Sequence, residues 1–236
     1  MRGGVIAIDG PSASGKSSTA RAVAESLGFA HLDSGSLYRG VTLVALREAA
    51  RQGKTTGNPL AAVDPEIILR AAEDRGLMLQ PDGAGFTAYL EGEPVGSAIR
   101  GAEVTANVSA VSAVPVVREW INSRLRALVR AGRDVVVDGR DIGTVVFPDA
   151  DLKIFLTATP EARAGRRISQ RGKRVDPERL EAETAALAAR DHADSTRPVA
   201  PLRRPEDAIA LDTTSMGFSE QVRFIIELAR PIFGNA

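Results

Sequence analysis

The residues of this chain best equipped for chemistry lie near its start. Gly10-Pro11-Ser12-Ala13-Ser14-Gly15-Lys16-Ser17-Ser18 fits the spacing G-x-x-x-x-G-K-[ST] of a phosphate-binding P-loop. Gly10 and Gly15 let the backbone curl so that successive N–H groups point into one hollow. A helix starting there adds its positive end, and the hollow favours a phosphate chain. Lys16 would reach the β- and γ-phosphates, and the Ser17 hydroxyl would ligate Mg²⁺. The motif needs a strand before it and a helix after it. Val5 to Asp9 reads as a short buried strand, and Thr19 to Leu27 carries Ala20, Val23, Ala24 and Leu27 on one helical face.

A P-loop accounts for a triphosphate donor only, so an acceptor must be sought elsewhere. Asp33-Ser34-Gly35 with Tyr38-Arg39 places an arginine about one helical turn after a turn-forming triplet. The bland alternative is an N-cap at Ser34 or Ser36 with a surface arginine. Asp138-Gly139-Arg140-Asp141 ends a valine-rich strand, and ligands of open parallel sheets bind beyond the carboxyl ends of strands. Two carboxylates flanking an arginine there could hold a substrate phosphate and orient a base or sugar. Arg163, Arg166, Arg167 and Arg171 recur at helical spacing, followed by Arg190, Asp191, Asp194 and Arg197. They read either as a solvated basic stripe or as a lid of two helices closing on polyphosphate, which phosphoryl transfer requires to neutralise charge and exclude water. His31 and His192 read as structural or surface residues.

The elements that would position these groups alternate between strand and helix. After Phe29 to Leu32, a helix is expected from Ser36, with Arg51 to Asn58 as a loop and a helix over Pro65 to Arg75. Leu77 to Leu79, Phe86 to Leu90 and Pro94-Val95 look like short strands separated by turns at Pro81-Asp82-Gly83 and Glu91-Gly92-Glu93. Helices follow over Glu103 to Ala113 and Pro115 to Arg130, then buried strands over Asp134 to Asp138 and Leu152 to Leu156. Pro160 to Arg171 and Pro177 to Arg190 read as helices, Ser195 to Pro205 as a loop, Ala208 to Asp212 as a strand and Ser219 to Ala229 as a closing helix. This is an α/β pattern: a central parallel sheet covered by helices on both faces.

Bulk composition narrows the classes. The 236 residues suffice for one large domain or a core with an insertion. Thirty basic residues balance thirty acidic ones, which gives no support to extended nucleic-acid or anionic-membrane binding. There is no cysteine, so disulfides and thiolate zinc sites are excluded. No apolar run approaches the roughly 20 residues of a membrane span. A cytoplasmic protein is expected.

With these segments assembled, the chain resembles the bacterial cytidylate (CMP) kinases of the nucleoside monophosphate kinase group. The resemblance rests on Ile8 to Ser17, on Leu32 to Gly35 with Tyr38-Arg39, and on Asp138-Gly139-Arg140-Asp141-Ile142-Gly143-Thr144-Val145-Val146-Phe147-Pro148. It rests also on Arg190-Asp191 with Asp194 and Arg197, and on Val199-Ala200-Pro201-Leu202. It implies a three-layer P-loop kinase fold. Residues 1–64 and 101–236 would form the core, with a lid at about 160–200. Residues 65–100 would be a small α+β insertion in the NMP-binding region, extending into helices over 101–131. It implies ATP and Mg²⁺, CMP and dCMP as acceptors, and a monomer.

The resemblance also assigns residues. Gly10 to Ser18 with Arg166 and Arg167 would bind ATP, and Ser17 the metal. Ser34, Arg39, Ser109, Arg118, Asp138, Arg140, Asp141, Asp194 and Arg197 would bind CMP, and Lys16, Arg140, Arg190 and Arg197 would stabilise transferring charge. Between Arg190 and Arg197 this chain is less basic than the family pattern. Rival expectations are a P-loop kinase for uridylate, adenylate or shikimate, and, from another class, a P-loop switch ATPase acting through a protein partner.

Overall fold

A computed structural model describes residues 3–54 and 58–234. Part of the loop expected over Arg51 to Asn58 (residues 55–57) lies outside the described residues. In chain order the elements are β1 (Val5–Asp9), α1 (Lys16–Leu27), β2 (Ala30–Asp33), α2 (Ser34–Arg51), α3 (Pro65–Asp74), β3 (Met78–Asp82), β4 (Gly85–Leu90) and β5 (Glu93–Pro94). Then come α4 (Ala102–Ser112), α5 (Pro115–Arg130), β6 (Val135–Gly139), β7 (Leu152–Thr157), α6 (Pro160–Gln170), α7 (Pro177–Thr196), β8 (Ile209–Asp212) and α8 (Phe218–Phe233). The chain divides into two compact units, Met1–His31 with Val129–Ala236, and Leu32–Leu128.

In the first unit β1 is the central strand. It runs parallel to β6 in the register Val5↔Val135 and to β7 in the register Ile6↔Leu152. Beyond β7 lies β8, parallel to it, and beyond β6 lies β2. Every residue of β1 and β6 is buried. Such unbroken apolar, largely β-branched runs suit strands of a sheet flanked by helices, with no face left to water. Ala20, Val23, Ala24 and Leu27 of α1 and Val222, Ile225 and Ala229 of α8 pack with Ile6, Ile8, Ile154 and Leu156 as one core. Gly28 ends α1 at φ +69 and returns its N–H to that helix's last carbonyls, a conformation in which a side chain would strain.

Three helices start with one local device. Asp64, Thr159 and Asp176 each cap a helix by accepting a backbone N–H, and a proline fills the first helical position after each. In the second unit, β3 and β4 form an antiparallel hairpin in the register Asp82↔Gly85. Pro81 and Asp82 belong to the strand, so the tight turn is Gly83-Ala84 and not the expected Pro81 to Gly83. A second hairpin pairs Leu90 with Glu93, leaving Glu91 (φ +58) and Gly92 (φ +80) as the two left-handed residues of a type I′ turn. Between α3 and α5, Glu73 accepts hydrogen bonds from Trp120 Nε1 and Arg124 Nη2, both at 2.8 Å.

Three other departures from expectation have local causes. The cap of α2 is Asp33, not Ser34 or Ser36; Ser36 instead donates its hydroxyl to Asp33 at 3.0 Å. Helix α7 does not stop at Arg190 but runs to Thr196, which takes in Asp191 and Asp194. Its interior holds no breaker, and it ends where Pro198 forces Arg197 out of the helical region. Ile142–Val146 forms a single π-helical turn, unforeseen because its β-branched residues argue against a helix.

Candidate active site

The phosphate loop joins β1 to α1 in the first unit. A Cβ at Gly10 would run into the carbonyl oxygen of Leu156 on β7, so only glycine lets the chain leave the sheet there. Ala13 is left-handed at φ +58, and Gly15 at φ +90 opens α1. The loop curls tightly enough for Lys16 Nζ to donate to Pro11 O at 3.0 Å. Lys16 is buried, and its amine is lowered to about 7, chiefly by that burial and further by the charges of Arg140 and Arg190, against Asp138 and Asp194. The Ser14 hydroxyl is buried with no hydrogen-bond partner among the described residues. Buried polar atoms are nearly always satisfied, so this loop is shaped for a polar ligand.

Carboxylates and arginines crowd beside the loop. The Ser17 hydroxyl donates to Asp138 Oδ2 at 2.5 Å, and His31 Nε2 lies 2.8 Å from Asp138 Oδ1. Burial alone would raise the Asp138 carboxyl; the hydrogen bonds from His31 and Ser17, with the Lys16 charge, hold it below the usual carboxylate range. Arg140 Nε donates to Asp194 at 2.9 Å and its Nη2 to the Ser12 hydroxyl at 3.0 Å. Buried Arg197 lies 3.7 Å from Asp141 and donates to Ala200 O at 2.7 Å. The structure thus brings Lys16, Ser17, Asp138, Arg140, Arg190 and Asp194 into one cluster, and Arg197 faces Asp141, the residue after Arg140. Arg166 and Arg167 point elsewhere: Arg166 donates to Thr213, and Arg167 pairs with Glu183 at 3.0 Å.

Asp9 was legible only as a strand end, yet it ties two segments together. Its buried carboxylate accepts the N–H groups of Ile142 (2.9 Å) and Gly143 (2.7 Å), which fixes the π-helical turn after Asp141. Burial raises the Asp9 carboxyl to about 6 against the opposing pull of those two hydrogen bonds. The one signal for such a role was a charged residue closing a wholly apolar strand. Asp191 stood in the Arg190 to Arg197 series without a role of its own, and Thr213 carried no local signal.

The second unit holds the other acceptor-side candidates. Ser34 is buried in the first turn of α2. Arg39 donates to Thr105 Oγ1 at 3.0 Å and to Ile99 O at 3.2 Å. Arg118 is buried, lies 5.2 Å over the Tyr38 ring and donates to Ser112 O at 2.9 Å, while the Ser112 hydroxyl donates to Ser109 O. The sequence-predicted Ser34 and Arg39 lie on α2, Ser109 on α4 and Arg118 on α5, with Arg39 tied to Thr105 of α4 and Arg118 to Tyr38 of α2.

Among the described residues no group of three or more His, Cys, Asp or Glu side chains could hold a metal ion alone. Ser17 and Asp138 nonetheless fit Mg²⁺. Both supply hard oxygens, and this ion takes one or two protein ligands and completes its shell with phosphates and water.

A glycine loop leaving the central strand of a mostly parallel sheet flanked by helices is the α/β P-loop fold, the one P-loop kinases have. The chain belongs to the cytidylate kinase family, whose model matches residues 6–231. It is 45% identical to a cytidylate kinase of Rhodococcus opacus (strain B4), over 92% of this chain and 91% of that one. It is 44% identical to a cytidylate kinase of Streptomyces griseus subsp. griseus over 95% and 91%, and 41% identical to one of Geobacillus sp. (strain WCH70) over 97% of both.

Proposed function

We propose that this protein transfers the γ-phosphoryl group of ATP to CMP, and also to dCMP, giving ADP and the nucleoside diphosphate. The observation that carries this reading is the cluster around Lys16. A P-loop built for a triphosphate is faced on its own unit by Arg140 and Arg190, with Asp138 and Asp194 interleaved, and the Arg197–Asp141 pair follows directly after Arg140. A P-loop alone binds one polyphosphate; the added arginines suit a second anion brought up to it.

The chemistry is in-line transfer to a phosphate oxygen of the acceptor. That oxygen is already anionic, so no general base is needed, and positioning with charge neutralisation carries the rate. Lys16 would hold the β- and γ-phosphates, and Gly10 to Ser18 would wrap the chain with backbone N–H groups. Mg²⁺, held by Ser17 with Asp138 behind it, would neutralise phosphate charge when bound. On the first unit, Asp138, Arg140, Asp141, Asp194 and Arg197 are the proposed CMP ligands. On the second they are Ser34, Arg39, Ser109 and Arg118. Arg190 and Arg197 would neutralise transferring charge. Residues 160–200 are the proposed lid, in which Arg166 and Arg167 would exchange Thr213 and Glu183 for phosphate oxygens. Residues 65–100 are the proposed NMP-binding insertion. We read the protein as a cytoplasmic monomer; no helix among the described residues is long and apolar enough to cross a membrane.

The deciding experiment is an ADP-release assay with CMP, dCMP, UMP and AMP as separate acceptors. CMP and dCMP should turn over fastest, and equal turnover with AMP would overturn the cytidylate assignment.

A further inference from the structure

Ser12 lies in the phosphate loop, and all three of its hydrogen-bonding groups are taken by charged side chains. Its N–H donates to Asp191 Oδ1 at 2.8 Å, its carbonyl accepts from Arg163 Nη1 at 2.9 Å, and its hydroxyl accepts from Arg140 at 3.0 Å. Arg163 and Asp191 also pair with each other at 2.5 Å, and Arg163 Nε donates to Ala158 O at 3.0 Å. Arg163 is 5% exposed, so it lies beneath the loop, not on a solvated stripe. The next residue, Ala13, is left-handed without being glycine, a conformation that costs about 1 kcal/mol or more and persists only when its surroundings impose it. The loop's own backbone does little to impose it; Ser14 N to Pro11 O, at 3.4 Å, is its long internal bond.

We propose that Arg163 and Asp191 are positioning residues that clamp both backbone groups of Ser12 and thereby hold the phosphate loop curled before ATP arrives. Neither touches the reacting phosphates. The ion pair reaches the loop from two helices, α6 and α7. Because the pair is neutral overall, the clamp adds no net charge to the anion site.

This makes a prediction opposite in sign to bare electrostatics. Removing a carboxylate beside a polyphosphate site should by charge alone tighten ATP binding. Removing a clamp should weaken it, because the loop must then be ordered by the ligand. The inference rests on the P-loop being the ATP site, so wild-type protein and Lys16→Ala are compared first by titration with a fluorescent ATP analogue. Undiminished binding by Lys16→Ala would overturn that reading and the clamp with it.

The same titration is then made on Asp191→Asn and Asp191→Ala. The asparagine keeps an oxygen for the Ser12 N–H and the alanine does not. The expected order is wild type tightest, asparagine intermediate and alanine weakest, with alanine weakened about tenfold. The Ser12 amide should also lose hydrogen-exchange protection, most in the alanine variant and partly in the asparagine variant, whose uncharged oxygen accepts more weakly. ATP binding as tight as wild type or tighter in a folded variant, or an unchanged Ser12 amide, would overturn the clamp alone.

Discussion

The Ser17 hydroxyl is held by Asp138, whose other carboxylate oxygen is engaged by His31, so the start of α1 and the end of β6 are joined through one ionised group. Asp138→Asn keeps the shape and removes the charge. It is expected to lower kcat by about 10–100-fold and to raise the Mg²⁺ concentration needed for half-maximal turnover. Titrating Mg²⁺ at saturating ATP and CMP measures this. A normal Mg²⁺ dependence would detach Asp138 from the metal.

Arg140 bridges Asp194 and the Ser12 hydroxyl, and so touches a proposed CMP ligand and the phosphate loop at once. Arg140→Ala should raise the CMP KM and lower kcat together, for a loss of about 10–100-fold in kcat/KM. Steady-state kinetics with CMP varied at fixed ATP checks it; an unchanged CMP KM would remove Arg140 from the acceptor site.

Gly10 is required by close approach. Gly10→Ala forces a Cβ against the Leu156 carbonyl, and strand β7 cannot yield without breaking its pairing with β1. The expected cost is about 3 kcal/mol in urea unfolding. ATP affinity should fall with it, because the same displacement uncurls the loop.

Asp9 sets a pH dependence of stability. Its carboxyl titrates near 6 in the folded protein against an ordinary value of 3.8. Between those values the folded state holds a proton that the unfolded state has lost, so this group's contribution is full below pH 4 and fades as pH rises through 6. Asp9→Asn removes the titration. The stability of wild type relative to Asp9→Asn should therefore drop by about 2 kcal/mol between pH 4 and pH 7.5, measured by urea unfolding of both proteins. A constant difference would mean that Asp9 stays ionised throughout.

Much of the frame was readable from local chemistry. The apolar runs of β1, β6 and β7, and the capped proline starts at Asp64-Pro65, Thr159-Pro160 and Asp176-Pro177, carry their own instructions. The phosphate loop and the Asp138 to Asp141 segment were legible because their residue types make sense only beside a polar ligand. The rest depended on partners distant in sequence. The π-helical turn over Ile142–Val146 is held by Asp9 from a different strand, and no window around Ile142 contains that information. The spacing of Arg163, Arg166, Arg167 and Arg171 suggested a common face. Yet packing turns Arg163 inward to Ser12, sends Arg166 to Thr213, and leaves Arg167 and Arg171 sharing Glu183. Side-chain direction at that level is decided by tertiary contacts.

The position of β1 between β6 and β7 also bears on how the protein is made. The phosphate loop leaves the ribosome ahead of the strands that flank it, which emerge only after the whole Leu32–Leu128 unit has been synthesised. Until then β1 is an apolar strand with neither neighbour, the kind of segment that recruits chaperones or pairs wrongly with other nascent chains. The nucleotide cradle is thus written before its frame and assembled with it only later, and long-range strand pairing of this kind slows folding.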